Sequence, residues 1–471
     1  MNPAGKAAYA GGPPRLVVAG LSGDSGKTVV SIALLLEARR RGMPVRAFKK
    51  GPDYIDAAWL AWASGAPARN LDTFLMGFDR PARSFALHAV PSGCNLIEGN
   101  RGLYDGVDAV GSHSTGALAK SLRAPVVIDV NATKMTRTAA ALVLGCQKLD
   151  PEVPIAGVIL NQTAGARHLG VLRDAIESAC EIPVLGAIPK LNSALLPSRH
   201  LGLVPPAEHS AASSLAQGLL DATRPYIHWD RLFEISDSAP ALDAPPLELA
   251  HRCYGTRLRV GYVTDSAFTF YYPENLEALE REGADLIPLS ALSSPALPDS
   301  LDGVYIGGGF PETHAATLAA NSGFLNSIRH AARNGLPIYA ECGGLMLLAR
   351  GLHWRSERFE MAAVLPFDVE VCPSPQGHGY TELCVDTSNP FFPRAFKTPG
   401  HEFHYSRILA GETDLPSTVC ALSRGEGCFH RRDGIVVDNV WASYTHLHAL
   451  ATPEWARAFL AVVRRRAPVA A

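Results

Sequence analysis

Three kinds of chemistry-bearing residue stand out along the chain: a glycine-rich run ending in lysine and threonine, paired acidic segments, and one cysteine on a sharp turn. The first is Gly20-Leu-Ser-Gly-Asp-Ser-Gly-Lys-Thr28. Glycines such as Gly23 and Gly26 let backbone N–H groups curl around phosphate oxygens, and a following helix start favours negative charge. Lys27 supplies a point charge, and the Thr28 hydroxyl is of the type that ligates Mg²⁺ beside a nucleotide. Gly20 and Gly26 enclose five residues where the common phosphate loop has four, and Asp24 adds an acid inside it. The segment Lys49-Lys-Gly-Pro-Asp-Tyr-Ile-Asp56 contributes Asp53, Tyr54 and Asp56, and Ile97-Glu-Gly-Asn-Arg-Gly-Leu-Tyr-Asp-Gly106 contributes Glu98 and Asp105. Carboxylates beside a phosphate loop hold metal and do chemistry, so Asp53, Asp56, Glu98 and Asp105 join Thr28 as candidates for those roles. Arg69-Asn-Leu-Asp72 fits a helix cap or a substrate contact.

The cysteine is Cys342, in Leu336-Pro-Ile-Tyr-Ala-Glu-Cys-Gly-Gly-Leu-Met-Leu-Leu348. A strand, a glycine turn and a helix in that order make a nucleophile elbow, which exposes a thiol at a sheet edge. Gly343 and the turn residues Gly308 and Gly309 are the candidate oxyanion donors. A base comes from Tyr444-Thr-His-Leu-His448, with His446 the first choice.

Each segment needs an element to position it. Leu16 to Ala19, Val45 to Phe48, Asn95 to Ile97, Pro125 to Val130 and Ile155 to Leu160 are strand-sized apolar runs. Helical spacing follows at Val29 to Arg40, Gly116 to Ser121 and Arg137 to Leu149. Strands alternating with helices predict an α/β fold with a doubly wound, mostly parallel sheet, whose ligand crevice lies at the strands' C-terminal ends. The phosphate loop and both acidic segments fall at such ends. Lys134 and Arg137 follow one of them and are expected near the nucleotide. The period is lost through the proline-rich 223–256, and a second α/β series begins at Leu258. The expected layout is a flexible leader at 1–14, a nucleotide-dependent domain at 15–222, a linker at 223–256 and a second domain at 257–471.

With 43 basic and 45 acidic residues in 471, the chain has no charge footprint for nucleic acid or an anionic membrane. Its N-terminus lacks a signal-peptide core, no apolar run suits a bilayer, and its cysteines form no metal-type pair. A cytoplasmic protein with reduced thiols, monomeric or homodimeric, is expected.

Taken in order, GLSGDSGKT, KGPDYID, EGNRGLYDG, GGGFPE, ECGGLM and YTHLH resemble the cobyrinate a,c-diamide synthases from about Arg15 to the C-terminus. The resemblance implies a dethiobiotin-synthetase-like half using ATP and Mg²⁺, joined to a class I glutamine amidotransferase half. It implies amidation of the a and c acetate carboxylates of a cobyrinate-type tetrapyrrole through acyl phosphates, with ammonia drawn from glutamine. Lys27 and Thr28 then fall on nucleotide and Mg²⁺ positions, and Asp53 and Glu98 on metal and phosphoryl-transfer positions. Tyr54, Asp56 and Asp105 fall near the tetrapyrrole or acyl phosphate, Cys342 on the glutaminase nucleophile and His446 on its base. Many class I amidotransferases carry a glutamate two residues after the histidine; His448 stands there, leaving His446 without an evident acidic partner and implying slow glutamine turnover. Amidation of nickel sirohydrochlorin would use the same motifs. A nucleotide-dependent switch with a binding-only second half is the alternative of another class.

Overall fold

The computed structural model describes residues 12–23, 25–191, 198–199, 202–203, 206, 212–249, 256–410 and 416–466. Most of the leader, Asp24 and positions 250–255 of the linker lie outside the described residues. Two compact units divide the chain, Met1–Glu248 and Leu249–Ala471.

The first unit is built on seven strands: β1 (Leu16–Gly20), β2 (Val45–Lys50), β3 (Arg69–Leu71), β4 (Cys94–Gly102), β5 (Val126–Asn131), β6 (Ile155–Thr163) and β7 (Val184–Pro189). They pair in the order β3-β2-β4-β1-β5-β6-β7, every pair parallel. Both faces are covered, so the central strands are apolar throughout rather than alternating, and all five residues of β1 are buried. One layer packs Val30, Leu34, Trp59 and Leu60 under Leu16 and Val18; the other packs Leu118, Val143 and Leu172 against Val17 and Ile128. Register puts Gly20 opposite Asp129, Val18 opposite Glu98, and Lys49 opposite Glu98, so these residues share one edge. A two-residue hairpin, β8 (Ser198–Arg199) with β9 (Gly202–Leu203), follows.

Part of the stretch expected as linker is folded. Trp229–Asp237 is a helix whose Trp229, Leu232, Phe233 and Ile235 join the first unit's core. Nine residues give about two and a half turns, too few for the apolar period to stand out beside the prolines that follow.

The second unit holds a sheet in the order β11-β10-β12-β13-β22-β21-β20-β17-β18. Its parallel part is β10 (Leu258–Val263), β11 (Ala284–Leu289), β12 (Gly303–Ile306), β13 (Ile338–Glu341) and β22 (Val440–Ser443). The antiparallel extension comprises β17 (Gly377–Val385), β18 (Lys397–His404), β20 (Thr418–Arg424) and β21 (Arg432–Val437). A smaller sheet joins β14 (Gly351–Trp354), β15 (Glu357–Glu360), β16 (Asp368–Val371) and β19 (Ser406–Leu409). Among the described residues no helix is long and apolar enough to cross a membrane.

Candidate active sites

In the first unit the glycine-rich run turns from β1 into the helix Lys27–Arg40. Gly26 enters that helix at φ 113°, and a Cβ there would fall 1.9 Å from Asn161 Nδ2, so both backbone and space demand glycine. Gly23 lies on the exposed outer part of the turn. Lys27 is buried and its Nζ donates to Ser22 O at 2.9 Å. Burial, with Lys49 nearby, holds its pKa below the ordinary lysine value.

A buried charge cluster occupies the neighbouring strand ends. Lys49, 1% exposed, donates to Asp56 Oδ2 at 2.7 Å, Glu98 Oε1 at 2.7 Å and Gly99 O at 3.0 Å. Thr28 Oγ1 donates to the same Glu98 oxygen at 3.3 Å. The backbone N–H of Asp56 donates to Asp53 Oδ1 at 2.9 Å. Burial and the Asp56 charge push the Asp53 carboxyl up to about 7, whereas for Asp56 the cost of burial is outweighed by Lys49 and its pKa falls. Burial also raises Glu98, against the pull of Lys49. Tyr54 stands at the N-cap position of the helix Ile55–Ser64, between Asp53 and Asp56, without a side-chain capping bond. Asp105 folds back to accept the Gly102 N–H at 2.8 Å, which gives it a role in shaping the turn after β4. Asp72 caps Thr73–Met76 by accepting from Phe74 N and Leu75 N. Lys134 and Arg137 are exposed.

Asp129, at the end of β5, was not singled out in the sequence because it sits inside a run of apolar strand residues. It is fully buried and faces Ser25, Lys27 and Asn161; burial pushes its carboxyl up to about 7. Both Asp129 oxygens and Glu98 Oε2 are buried without a hydrogen-bond partner. Two carboxylates with oxygens left over, beside the Thr28 hydroxyl and under a phosphate loop, match the oxygen donors a hard divalent cation takes. The residues therefore fit Mg²⁺.

In the second unit Cys342 joins β13 to the helix Gly343–Leu348 with φ 48° and ψ −100°. That conformation is strained for a residue with a side chain and is the mark of a nucleophile elbow. Its N–H donates to Ser443 O at 2.7 Å, tying the turn to β22. Contrary to the exposed thiol that the elbow pattern predicts, Cys342 is 4% exposed, and burial together with Glu312 and Glu341 pushes its pKa up.

The turn after β12 meets the elbow closely. A Cβ on Gly343 would lie 3.0 Å from Gly309 N, and one on Gly308 would lie 2.6 Å from His446 Cε1 and 3.4 Å from Nε2. Gly308, Gly309, Gly343, Cys342 and His446 are thus brought together, with the Cε1–Nε2 edge of the imidazole toward the glycine turn. The Gly307 N–H is already taken by Tyr271 OH at 2.7 Å.

Behind His446 lies an acid that the sequence reading missed. His446 Nδ1 is 3.6 Å from Glu341 Oε2, and both side chains are buried. Glu341 Oε2 also accepts from Tyr305 OH at 3.0 Å, and Oε1 accepts from Leu447 N at 3.2 Å. His448 faces a different acid, with Nε2 3.7 Å from Glu274 Oε2. His401 stacks on His446 at 4.9 Å, and its N–H and carbonyl pair with those of His446.

Residues 16–204 match the family model described as CobQ/CobB/MinD/ParA nucleotide binding domain, and residues 259–454 match the CobB/CobQ-like glutamine amidotransferase domain. A cobyrinate a,c-diamide synthase from Magnetococcus marinus is 42% identical over 94% of this chain and 96% of its own. One from Archaeoglobus fulgidus is 37% identical over 95% of this chain and 97% of its own. Among solved structures, PurLQS from Thermotoga maritima covers 45% of this chain and 99% of its own at 17% identity, with a TM-score of 0.34.

Proposed function

The chain belongs to the cobyrinate a,c-diamide synthase family, and on that premise we propose that it converts the a and c acetate carboxylates of cobyrinate to amides, using ATP and glutamine. The observation carrying this reading is the strained Cys342 elbow, packed against a glycine turn that also meets His446, in a chain that also buries Lys27, Lys49, Glu98 and Asp129 at its phosphate loop.

A carboxylate cannot expel oxide, so ammonia does not displace it directly. In the proposed reaction a substrate carboxylate oxygen takes the γ-phosphoryl of ATP, releasing ADP. Ammonia then attacks the acyl carbon, and phosphate leaves. Lys27 and the backbone donors of the loop stabilise charge on the transferring phosphoryl. Thr28, Glu98 and Asp129 would hold Mg²⁺, which supplies charge neutralisation at the phosphates. Lys49 keeps Asp56 ionised and Glu98 in place. Asp53 would assist phosphoryl transfer, and Tyr54, Asp56 and Asp105 would serve the acceptor, Asp105 through the turn it shapes.

Ammonium is the dominant form near neutral pH and is not nucleophilic, so local release of ammonia is needed. Cys342 Sγ attacks the glutamine amide carbon while its proton passes to His446 and on to the departing NH₃. Water then cleaves the thioester, giving glutamate and restoring the thiol. The Gly309 and Gly343 amides would receive the oxyanion.

The test is amidation with Cys342→Ala, followed by mass spectrometry. Glutamine-dependent amidation is expected to vanish and ammonium-dependent amidation to persist. Loss of both in a folded variant would refute the division of labour. Nickel sirohydrochlorin, run as a second acceptor, decides between the two tetrapyrroles. ATP turnover that ignores both acceptors but responds to a protein partner would favour a switch protein.

A further inference from the structure

We propose that Glu341, the residue immediately before the nucleophile, is the positioning acid of the glutaminase centre. This rests on the assignment of Cys342 and His446 as nucleophile and base. Cys342, His446 and Glu341 then form a triad whose acid and nucleophile are neighbours in sequence.

Three observations converge on Glu341. Its Oε2 lies 3.6 Å from His446 Nδ1, with both groups out of water. The opposite edge of the ring faces Gly308, whose turn touches the elbow, so Nε2 is the nitrogen on the nucleophile's side. A carboxylate at Nδ1 selects the tautomer with the proton there and leaves Nε2 free to accept from the thiol. When the imidazolium forms, its charge develops beside an anion already in place. Glu341 is itself fixed by donors on both oxygens, Tyr305 OH and Leu447 N. At 3.6 Å the contact is long for a hydrogen bond, as acid–base contacts often are before substrate binds.

The elbow explains how adjacent residues serve one site. Glu341 ends β13 and Cys342 sits at φ 48°, so the backbone reverses between them instead of continuing the strand. His448, at the position where related enzymes carry the acid, is engaged with Glu274 instead. A histidine there leaves the orienting role to another residue, and Glu341 is the acid that lies against His446 Nδ1.

The experiment is Glu341→Gln, assayed for glutamine hydrolysis as glutamate release, with ammonium-dependent amidation as the internal control. Turnover of glutamine should fall by at least about 10²-fold, chiefly in kcat, because the amide no longer selects the tautomer or balances the imidazolium. The acid limb of the glutaminase pH–rate profile should move to lower pH. Glu341→Asp, which keeps the charge, should restore that limb at reduced kcat. Ammonium-dependent amidation should stay at the wild-type rate. Glutamine hydrolysis within about threefold of wild type, with an unchanged pH profile, would overturn the proposal. If Glu341→Gln fails to fold, Tyr305→Phe decides the matter: it removes one donor to Glu341 Oε2 and should cost about fivefold in glutamine kcat, in line with the worth of one hydrogen bond. No change in kcat there would also refute the role. A wild-type protein that hydrolyses no glutamine at all refutes the parent assignment rather than this one.

Discussion

Asp129→Asn is expected to stabilise the nucleotide-free protein, and by an amount that grows with pH. The carboxyl is fully buried, no donor reaches its oxygens in good hydrogen-bond geometry, and burial outweighs nearby Ser25, Lys27 and Asn161 to raise it from 3.8 to about 7. The sign follows from proton binding. Between those two values the folded state holds a proton that the unfolded state has released, so stability falls as pH rises through that window and levels off above it. Relative to a neutral side chain, the cost is about 0.6 kcal/mol at pH 4, about 1.7 at pH 5 and about 4 at pH 7, an upper bound to the order of magnitude. Asparagine has nearly the same shape and never ionises. The gain of Asp129→Asn over wild type should therefore increase by roughly 2 to 3 kcal/mol between pH 4.5 and pH 7.5. Urea unfolding, read by pulse hydrogen exchange of β1 and β5 peptides, isolates the unit concerned. Saturating Mg²⁺ and ATP should reverse the order, because wild type gains binding free energy that the variant forfeits. A gain that does not change with pH, or a destabilised variant at pH 7.5, would refute the claim that this buried carboxyl costs the fold stability.

Two further substitutions probe the two centres. Lys49→Met leaves Glu98 and Asp56 without their shared cation and should destabilise the first unit by about 3 to 5 kcal/mol in urea unfolding, with loss of ammonium-dependent amidation; a change below about 1 kcal/mol would show that the cluster is not held by this lysine. Gly308→Ala places a methyl 2.6 Å from His446 Cε1 and should displace the ring. Glutamine hydrolysis should fall about 10²-fold while ammonium-dependent amidation persists, and near-normal hydrolysis would mean that the ring works from elsewhere.

The parallel cores of both units were legible because buried strands read as unbroken apolar runs and their ends are marked by glycine and acid. Leu16–Gly20, Val126–Asn131 and Ile338–Glu341 all announce themselves in this way. The antiparallel extension did not. Gly377–Val385 and Lys397–His404 mix histidine, glutamate and glycine with few apolar residues, because much of their burial is polar. Motif residues were found by local spacing, and the structure brings Thr28, Asp56 and Glu98 together around Lys49, which stood within a quoted motif but was given no role. Asp129 and Glu341 depend on contacts across strands. Their one visible signal was an acid within or closing an apolar strand, a placement too costly to keep without a partner or a purpose.

The raised pKa of Cys342 also bears on chemical durability. A thiol that stays protonated and almost wholly covered offers little thiolate to peroxide, and sulfenic acid formation starts from the thiolate. The resting centre should therefore resist oxidation and untargeted alkylation. It should become vulnerable mainly to electrophiles shaped like glutamine, which bring the proton acceptor and the oxyanion donors into play as they bind. Such a nucleophile is armed by its substrate, and it can wait through oxidative episodes that would destroy a permanently ionised one.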